Sequence, residues 1–122
     1  MYKILLAEDD NDMRRFLAKA LEKAGYEVTA YDNGGSAYER LREEPFSLLL
    51  SDIVMPGGMT GIELAQQVTR DYPAMKVVLT SGYAGDDVDE ALKDAPWPFL
   101  RKPYSGEELA SILGGSEDTT QS

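Results

Sequence analysis

Residues 47–56 read Ser-Leu-Leu-Leu-Ser-Asp-Ile-Val-Met-Pro, and the rest of the chain is best understood from this stretch. Three consecutive leucines make an apolar run too short for a helix of its own. The run stops at Ser51 and Asp52, with Pro56 close behind. Such a run predicts a strand buried on both faces, with a carboxylate at its C-terminal end. In an open parallel sheet, ligands and chemistry lie just beyond the carboxyl ends of the strands. Asp52 is therefore expected in a functional crevice; taken in isolation, the same aspartate would be a loop residue capping the next turn.

The flanking sequence repeats the pattern. Upstream, Ile4, Leu5, Leu6 and Ala7 form a second short apolar run that ends at Glu8, Asp9 and Asp10. From Asp12 the period changes: Met13, Phe16, Leu17, Ala20, Leu21 and Ala24 recur at helical spacing, and Gly25 closes the segment. Asp10 or Asn11 is placed to cap this helix. Residues 26–31 read as a less apolar strand near an edge of the sheet. Asp32-Asn33-Gly34-Gly35 is a turn, and Ala37, Tyr38 and Leu41 mark a helix that ends before Pro45.

Beyond the central strand, Gly57-Gly58-Met59-Thr60-Gly61 has neither of the glycine patterns that cradle phosphates, so it reads as a flexible turn. Ile62, Leu64, Ala65 and Val68 mark a third helix, and Val77, Val78 and Leu79 a fourth strand ending in Thr80-Ser81-Gly82. Val88, Ala91 and Leu92 outline a short acidic helix. Residues 96–101 lead through a short fifth strand into Lys102-Pro103. Residues 107–113 make a closing helix of about 10 Å, and residues 114–122 are a polar tail expected to be disordered. Five strands alternating with five helices through short loops predict right-handed crossovers. The expected fold is one open, doubly wound α/β domain over residues 1–113, its parallel sheet covered on both faces.

Composition narrows the chemistry. A chain of 122 residues is large enough to bury one core, roughly two-thirds of its unfolded surface, without staples. It contains no cysteine and no histidine, which removes thiolate ligands, thiol nucleophiles, the usual zinc ligands and the commonest general base. A net charge of -10 argues against a nucleic-acid partner. No apolar run approaches the roughly 20 residues of a membrane span, and the N-terminus has no signal-peptide pattern. A cytoplasmic protein without membrane contact is expected.

Parallel strands place Glu8, Asp9, Asp52, Thr80 or Ser81, and Lys102 on one edge of the sheet. Two like charges about 4 Å apart repel by roughly 4 kcal/mol at an effective dielectric constant of 20, so three clustered carboxylates call for a cation. Lys102 supplies one charge against three. Oxygen ligands without His or Cys suit Mg²⁺. With Mg²⁺ and an ammonium nearby, a carboxylate can act as nucleophile towards a phosphoryl group, giving an aspartyl phosphate.

Over residues 3–113 the chain resembles the receiver domain of two-component response regulators. The motifs that carry the resemblance are Ile-Leu-Leu-Ala-Glu8-Asp9-Asp10, Ser51-Asp52-Ile-Val-Met-Pro56, Leu-Thr80-Ser81-Gly82-Tyr83 and Lys102-Pro103-Tyr104. The resemblance implies a flavodoxin-like sheet of strand order 2-1-3-4-5. It implies Asp52 as phosphoacceptor, Asp9 as a direct Mg²⁺ ligand, Glu8 as a ligand through water, and the Val54 backbone carbonyl as the last protein ligand. Ser81 would be the switch hydroxyl, with Thr80 the alternative, Phe99 the aromatic that follows it, and Lys102 the phosphate-binding lysine before a cis Pro103. Departures from the pattern are the long glycine loop, the short final helix and Gly82 in place of alanine.

The resemblance also implies a phosphorelay switch, supplied by a histidine kinase or phosphotransfer protein, that changes its protein-binding face. Such a domain assists its own phosphotransfer and dephosphorylation but is not an enzyme acting on other substrates. No output domain follows in the sequence. Residues 1–56 resemble stand-alone regulators that act as adaptors for an ATP-dependent protease, whereas residues 56–113 are similar to receivers attached to hybrid histidine kinases. A receiver excised from such a kinase, an engineered chimera, or a phosphorylation-independent binding module are the alternatives. A phosphatase of the haloacid-dehalogenase type would need an aspartate two residues after the nucleophile, where this chain has Val54.

Overall fold

The triple-leucine run lies at the centre of the sheet. In the computed structural model, which describes residues 2–55, 59–81, 95–101 and 106–117, strands and helices alternate along the chain as far as residue 81, and a fifth strand and a helix follow from residue 99. They are β1 (Lys3–Ala7), α1 (Asn11–Lys23), β2 (Glu27–Tyr31), α2 (Gly34–Arg40), β3 (Leu48–Asp52), α3 (Gly61–Asp71), β4 (Lys76–Ser81), β5 (Phe99–Arg101) and α4 (Gly106–Glu117). The strands form one parallel sheet in the order β2-β1-β3-β4-β5. The less apolar β2 is at an edge, as expected. The acidic helix expected around residues 86–92 lies outside the described residues.

Side-chain alternation divides the core into two layers. Leu5, Ala7, Leu49, Val77 and Leu79 face α2 and α3, packing on Ala37, Leu64, Ala65 and Val68. Ile4, Leu6, Leu48, Leu50 and Val78 face α1 and α4, packing on Leu17, Leu21, Leu109 and Leu113. Every residue of β3 is buried, which explains why its sequence reads as a continuous run rather than an alternating one.

Local chemistry sets the helix starts. Asp10 caps α1 by accepting from the Met13 N–H at 2.9 Å, and Asn33 caps α2 through the Ser36 N–H at 2.8 Å. Thr60 and Glu63 form a reciprocal capping box at the start of α3. At the opposite end of the sheet, the Trp97 indole N–H donates to Thr69 Oγ1 at 2.9 Å and the ring packs against the core. This tryptophan covers a hydrophobic edge, as its position between two prolines suggests.

Three elements differ from expectation. The final helix is not short: it begins at Gly106 and continues through Gly114 to Glu117, so the first four residues of the expected tail are helical. Glycines lower helix propensity by about 1 kcal/mol each, but Leu109 and Leu113 anchor the preceding turns in the core. Residues 118–122 lie outside the described residues. Phe16, which fits the periodicity of the first helix, is 59 % exposed, because the buried stripe of α1 is the narrower Leu17–Leu21 line. Finally, Gly61 is not part of a flexible turn; it is the first residue of α3 and packs against the end of β3.

Candidate functional site

The site is assembled by strand register. Ala7 pairs with Ser51, so Glu8 follows β1 at the level where Asp52 ends β3. Asp52 pairs in turn with Thr80, and Ser81, the last residue of β4, pairs with Arg101 at the end of β5. Glu8, Asp52, Thr80 and Ser81 are all buried, whereas Asp9 is exposed. Lys102 follows Arg101 directly but lies outside the described residues, as do Gly82, Tyr83, Pro103 and Tyr104.

The carboxylates of Glu8, Asp9 and Asp52 each offer an oxygen, and these oxygens lie within 4.8 Å of one another. At that separation each pair of charges repels by on the order of 3 kcal/mol at an effective dielectric constant of 20, less where Asp9 meets solvent. The all-oxygen donor set and its spacing fit a hard divalent cation that keeps part of its water shell, as Mg²⁺ does. Their meeting follows from topology: β1 and β3 are adjacent parallel strands, so both acidic ends emerge at the same edge.

The turn that carries two of these carboxylates is tied down on several sides. Glu8 donates its N–H to the Tyr31 carbonyl at 3.0 Å, and its carboxylate accepts the Asp10 N–H at 3.1 Å. Its carbonyl accepts a hydrogen bond from Arg14 Nη1 at 3.0 Å, and Arg14 Nη2 reaches Asn11 Oδ1 at 2.6 Å. Its neighbour Arg15 is turned to solvent instead, exposed and paired with Asp12 at 3.3 Å.

The end of β3 is supported by backbone. Ile53 donates to the Thr80 carbonyl at 2.8 Å, and Gly61 donates to the Ile53 carbonyl at 2.7 Å. Ser51 Oγ donates to the Asp52 carbonyl at 2.9 Å. A Cβ on Gly61 would lie 2.1 Å from that same carbonyl oxygen, so only glycine lets α3 start this close to the strand. This position was missed from sequence, where the run of glycines hides the one that is sterically required. Val54 follows in the loop with its side chain half exposed; a valine there supplies neither acid nor base.

Phe99 is partly buried against the α2–α3 side of the core and pairs with Leu79. The Arg101 guanidinium stands over its ring at 5.7 Å from the centroid. That contact was also missed from sequence, although strand alternation puts residues 99 and 101 on one face.

Comparison with known proteins agrees with this geometry. The family model of the response regulator receiver domain matches residues 4–114. The chain belongs to the response regulator receiver family. The receiver is 57% identical over 116 residues to the response regulator receiver protein CpdR of Brucella abortus, a match covering 93% of this chain and 94% of that one. This match runs through both halves of the chain. It is 36% identical over 112 residues to FleR of Pseudomonas aeruginosa, covering 91% of this chain but 24% of FleR.

Among solved structures, the receiver resembles a CheY-like receiver domain protein of Methanospirillum hungatei, with a TM-score of 0.88, 28% identity, and coverage of 97% of this chain and 94% of that one. It also resembles the response regulator TrrA of Thermotoga maritima, solved in complex with Mg²⁺-BeF, with a TM-score of 0.84, 26% identity, and coverage of 95% and 99%. Among the described residues, no helix is long and apolar enough to cross a membrane.

Proposed function

We propose that this receiver is a phosphorylation-controlled switch in which Asp52 accepts a phosphoryl group from the phosphohistidine of a kinase or phosphotransfer protein. The observation that carries the reading is the buried Asp52 at the end of the central strand, with oxygens of Glu8 and Asp9 within 4.8 Å of its own. An Asp52 carboxylate oxygen attacks phosphorus, the P–N bond breaks, and its electron pair remains on the departing imidazole. Asp9, Asp52 and the Val54 carbonyl would hold Mg²⁺ directly and Glu8 through water; when bound, the ion neutralises charge on the transferred oxygens. Lys102 would bind the phosphoryl group from the β5 side, and Ser81, or Thr80 in its place, would donate a hydrogen bond to it.

The output follows from local repacking. Drawing the hydroxyl of β4 towards Asp52 vacates space beside Phe99, whose movement remodels the protein-binding face to which β5 and α4 contribute. The similarity to CpdR and the resemblance to stand-alone adaptors support an effect exerted through protein contacts, with a protease or its adaptor machinery as the partner class. A cytoplasmic location agrees with that role.

Intact mass after incubation with Mg²⁺ and a small-molecule phosphodonor tests the reading. A gain of about 80 Da in the wild type, absent from Asp52→Asn, is expected. Modification of both proteins, or of neither once Mg²⁺ binding is confirmed, would overturn it.

A further inference from the structure

We infer that Arg14 is a positioning residue for the acidic site, holding the Glu8–Asp9 peptide in the orientation that lets both side chains serve one cation. The inference rests on the Mg²⁺ reading proposed above. Arg14 is in the second turn of α1, half-buried, and its own N–H is fixed to the Asp10 carbonyl at 2.8 Å. Its guanidinium spans the acidic turn, with Nη1 3.0 Å from the Glu8 carbonyl and Nη2 2.6 Å from Asn11 Oδ1. The Glu8 carbonyl belongs to the peptide that joins the two acidic residues, so its orientation sets the direction in which Glu8 and Asp9 leave the backbone. The planar fork of a guanidinium can bridge two acceptors on either side of the turn; an ammonium is a point charge and holds one geometry less well.

Two effects of Arg14 on a cation at this site oppose each other. As a positive charge near the carboxylates it repels the ion, and its removal should tighten binding. As the clamp on the Glu8–Asp9 peptide it keeps the ligands aligned, and its removal should weaken binding. Outer-shell partners of metal ligands typically change affinity 10- to 100-fold when lost. Because Arg14 acts on the backbone rather than on a ligand atom, the lower end of that range applies, and it exceeds the screened charge effect. Arg15 is the internal control: the same charge one residue on, exposed and paired with Asp12 instead of the turn.

The experiment is calorimetric titration of Mg²⁺ alone into the wild type, Arg14→Ala, Arg14→Lys and Arg15→Ala, with far-UV circular dichroism in chelator to confirm folding. Arg14→Ala is expected to bind Mg²⁺ about tenfold more weakly than wild type. Arg14→Lys, which keeps the charge and the long stem, should fold and also bind more weakly than wild type. Arg15→Ala should bind as wild type or slightly more tightly. If Arg14→Ala or Arg14→Lys binds Mg²⁺ as tightly as wild type, or if Arg15→Ala loses as much as Arg14→Ala, the positioning role is overturned while the Mg²⁺ reading stands. If the wild type itself does not bind Mg²⁺, both fall together.

Discussion

Replacing Gly61 with alanine places a methyl group where the end of β3 already is. The added carbon would lie 2.1 Å from the Asp52 carbonyl oxygen, 2.7 Å from Ile53 Cα and 2.8 Å from the Asp52 carbonyl carbon. All three atoms are backbone, so no side chain can rotate out of the way. To restore an ordinary contact of 3.4 Å, α3 and β3 must part by about 1.3 Å. Overpacking of this kind costs roughly 1–3 kcal/mol, and a collision with backbone belongs at the upper end. The separation also stretches the 2.7 Å hydrogen bond from the Gly61 N–H to the Ile53 carbonyl, which contributes about 1 kcal/mol. Against this, alanine gains at most about 1 kcal/mol in helix propensity, and less at a first helical residue.

The net expectation is a loss of roughly 3 kcal/mol, or about 10 °C in Tm for a domain of this size. Because the atom displaced is the carbonyl of Asp52 itself, Mg²⁺ affinity should fall as well. Thermal unfolding by circular dichroism, followed by Mg²⁺ titration of the folded variant, measures both. Gly25→Ala is the contrast. Its φ of 104° disfavours alanine, yet nothing lies within 4 Å of the added carbon, so about 1–2 kcal/mol of stability should go without any change in Mg²⁺ binding. A Gly61→Ala protein that melts with wild type and binds Mg²⁺ equally well would refute the close approach of α3 to Asp52.

Three further outcomes are expected. Asp52→Asn removes one of three crowded charges and with it two of the three repulsive pairs, so in chelator it should be more stable than wild type by a few kcal/mol, and added Mg²⁺ should raise its Tm less; a less stable variant in chelator would contradict the repulsion argument. Glu44 is held below its ordinary value of 4.5, first by Lys3 at 3.0 Å and then by Arg40 at 3.1 Å. A depressed carboxylate stabilises the fold above its unfolded value and loses that contribution as pH falls through the folded one. The stability gap between wild type and Glu44→Gln at neutral pH should therefore narrow as pH falls below 4.5 and close once Glu44 is protonated in the folded state, and a gap independent of pH would exclude the pairing. For the hydroxyls, Ser81→Ala should slow phosphorylation from a small donor more than Thr80→Ala, the mass-spectrometric time course deciding between them. The reverse order would give the role to Thr80, which is the residue level with Asp52.

Much of this molecule is legible in its amino-acid sequence. Buried strands flanked by short loops leave continuous apolar runs, so Leu48–Leu50 and Ile4–Ala7 could be read as strands, and parallel topology then required their acidic ends to converge. Glu8, Asp9 and Asp52 do lie together. What misled was detail that periodicity does not carry. Phe16 keeps the helical period but not the buried stripe, and two glycines that look like a helix end are spanned by α4.

The amino-acid sequence by itself determined the alternation of elements, the parallel sheet and the identity of the acidic cluster, because each is written in local patterns of two or 3.6 residues or in single residue types. The tertiary structure alone decided that Thr80 stands level with Asp52, that Arg14 rather than Arg15 clamps the acidic turn, and that Gly61 meets the Asp52 carbonyl. These facts depend on register and on distances between residues far apart or differently oriented along the chain, and no local pattern encodes them until packing brings the backbones together.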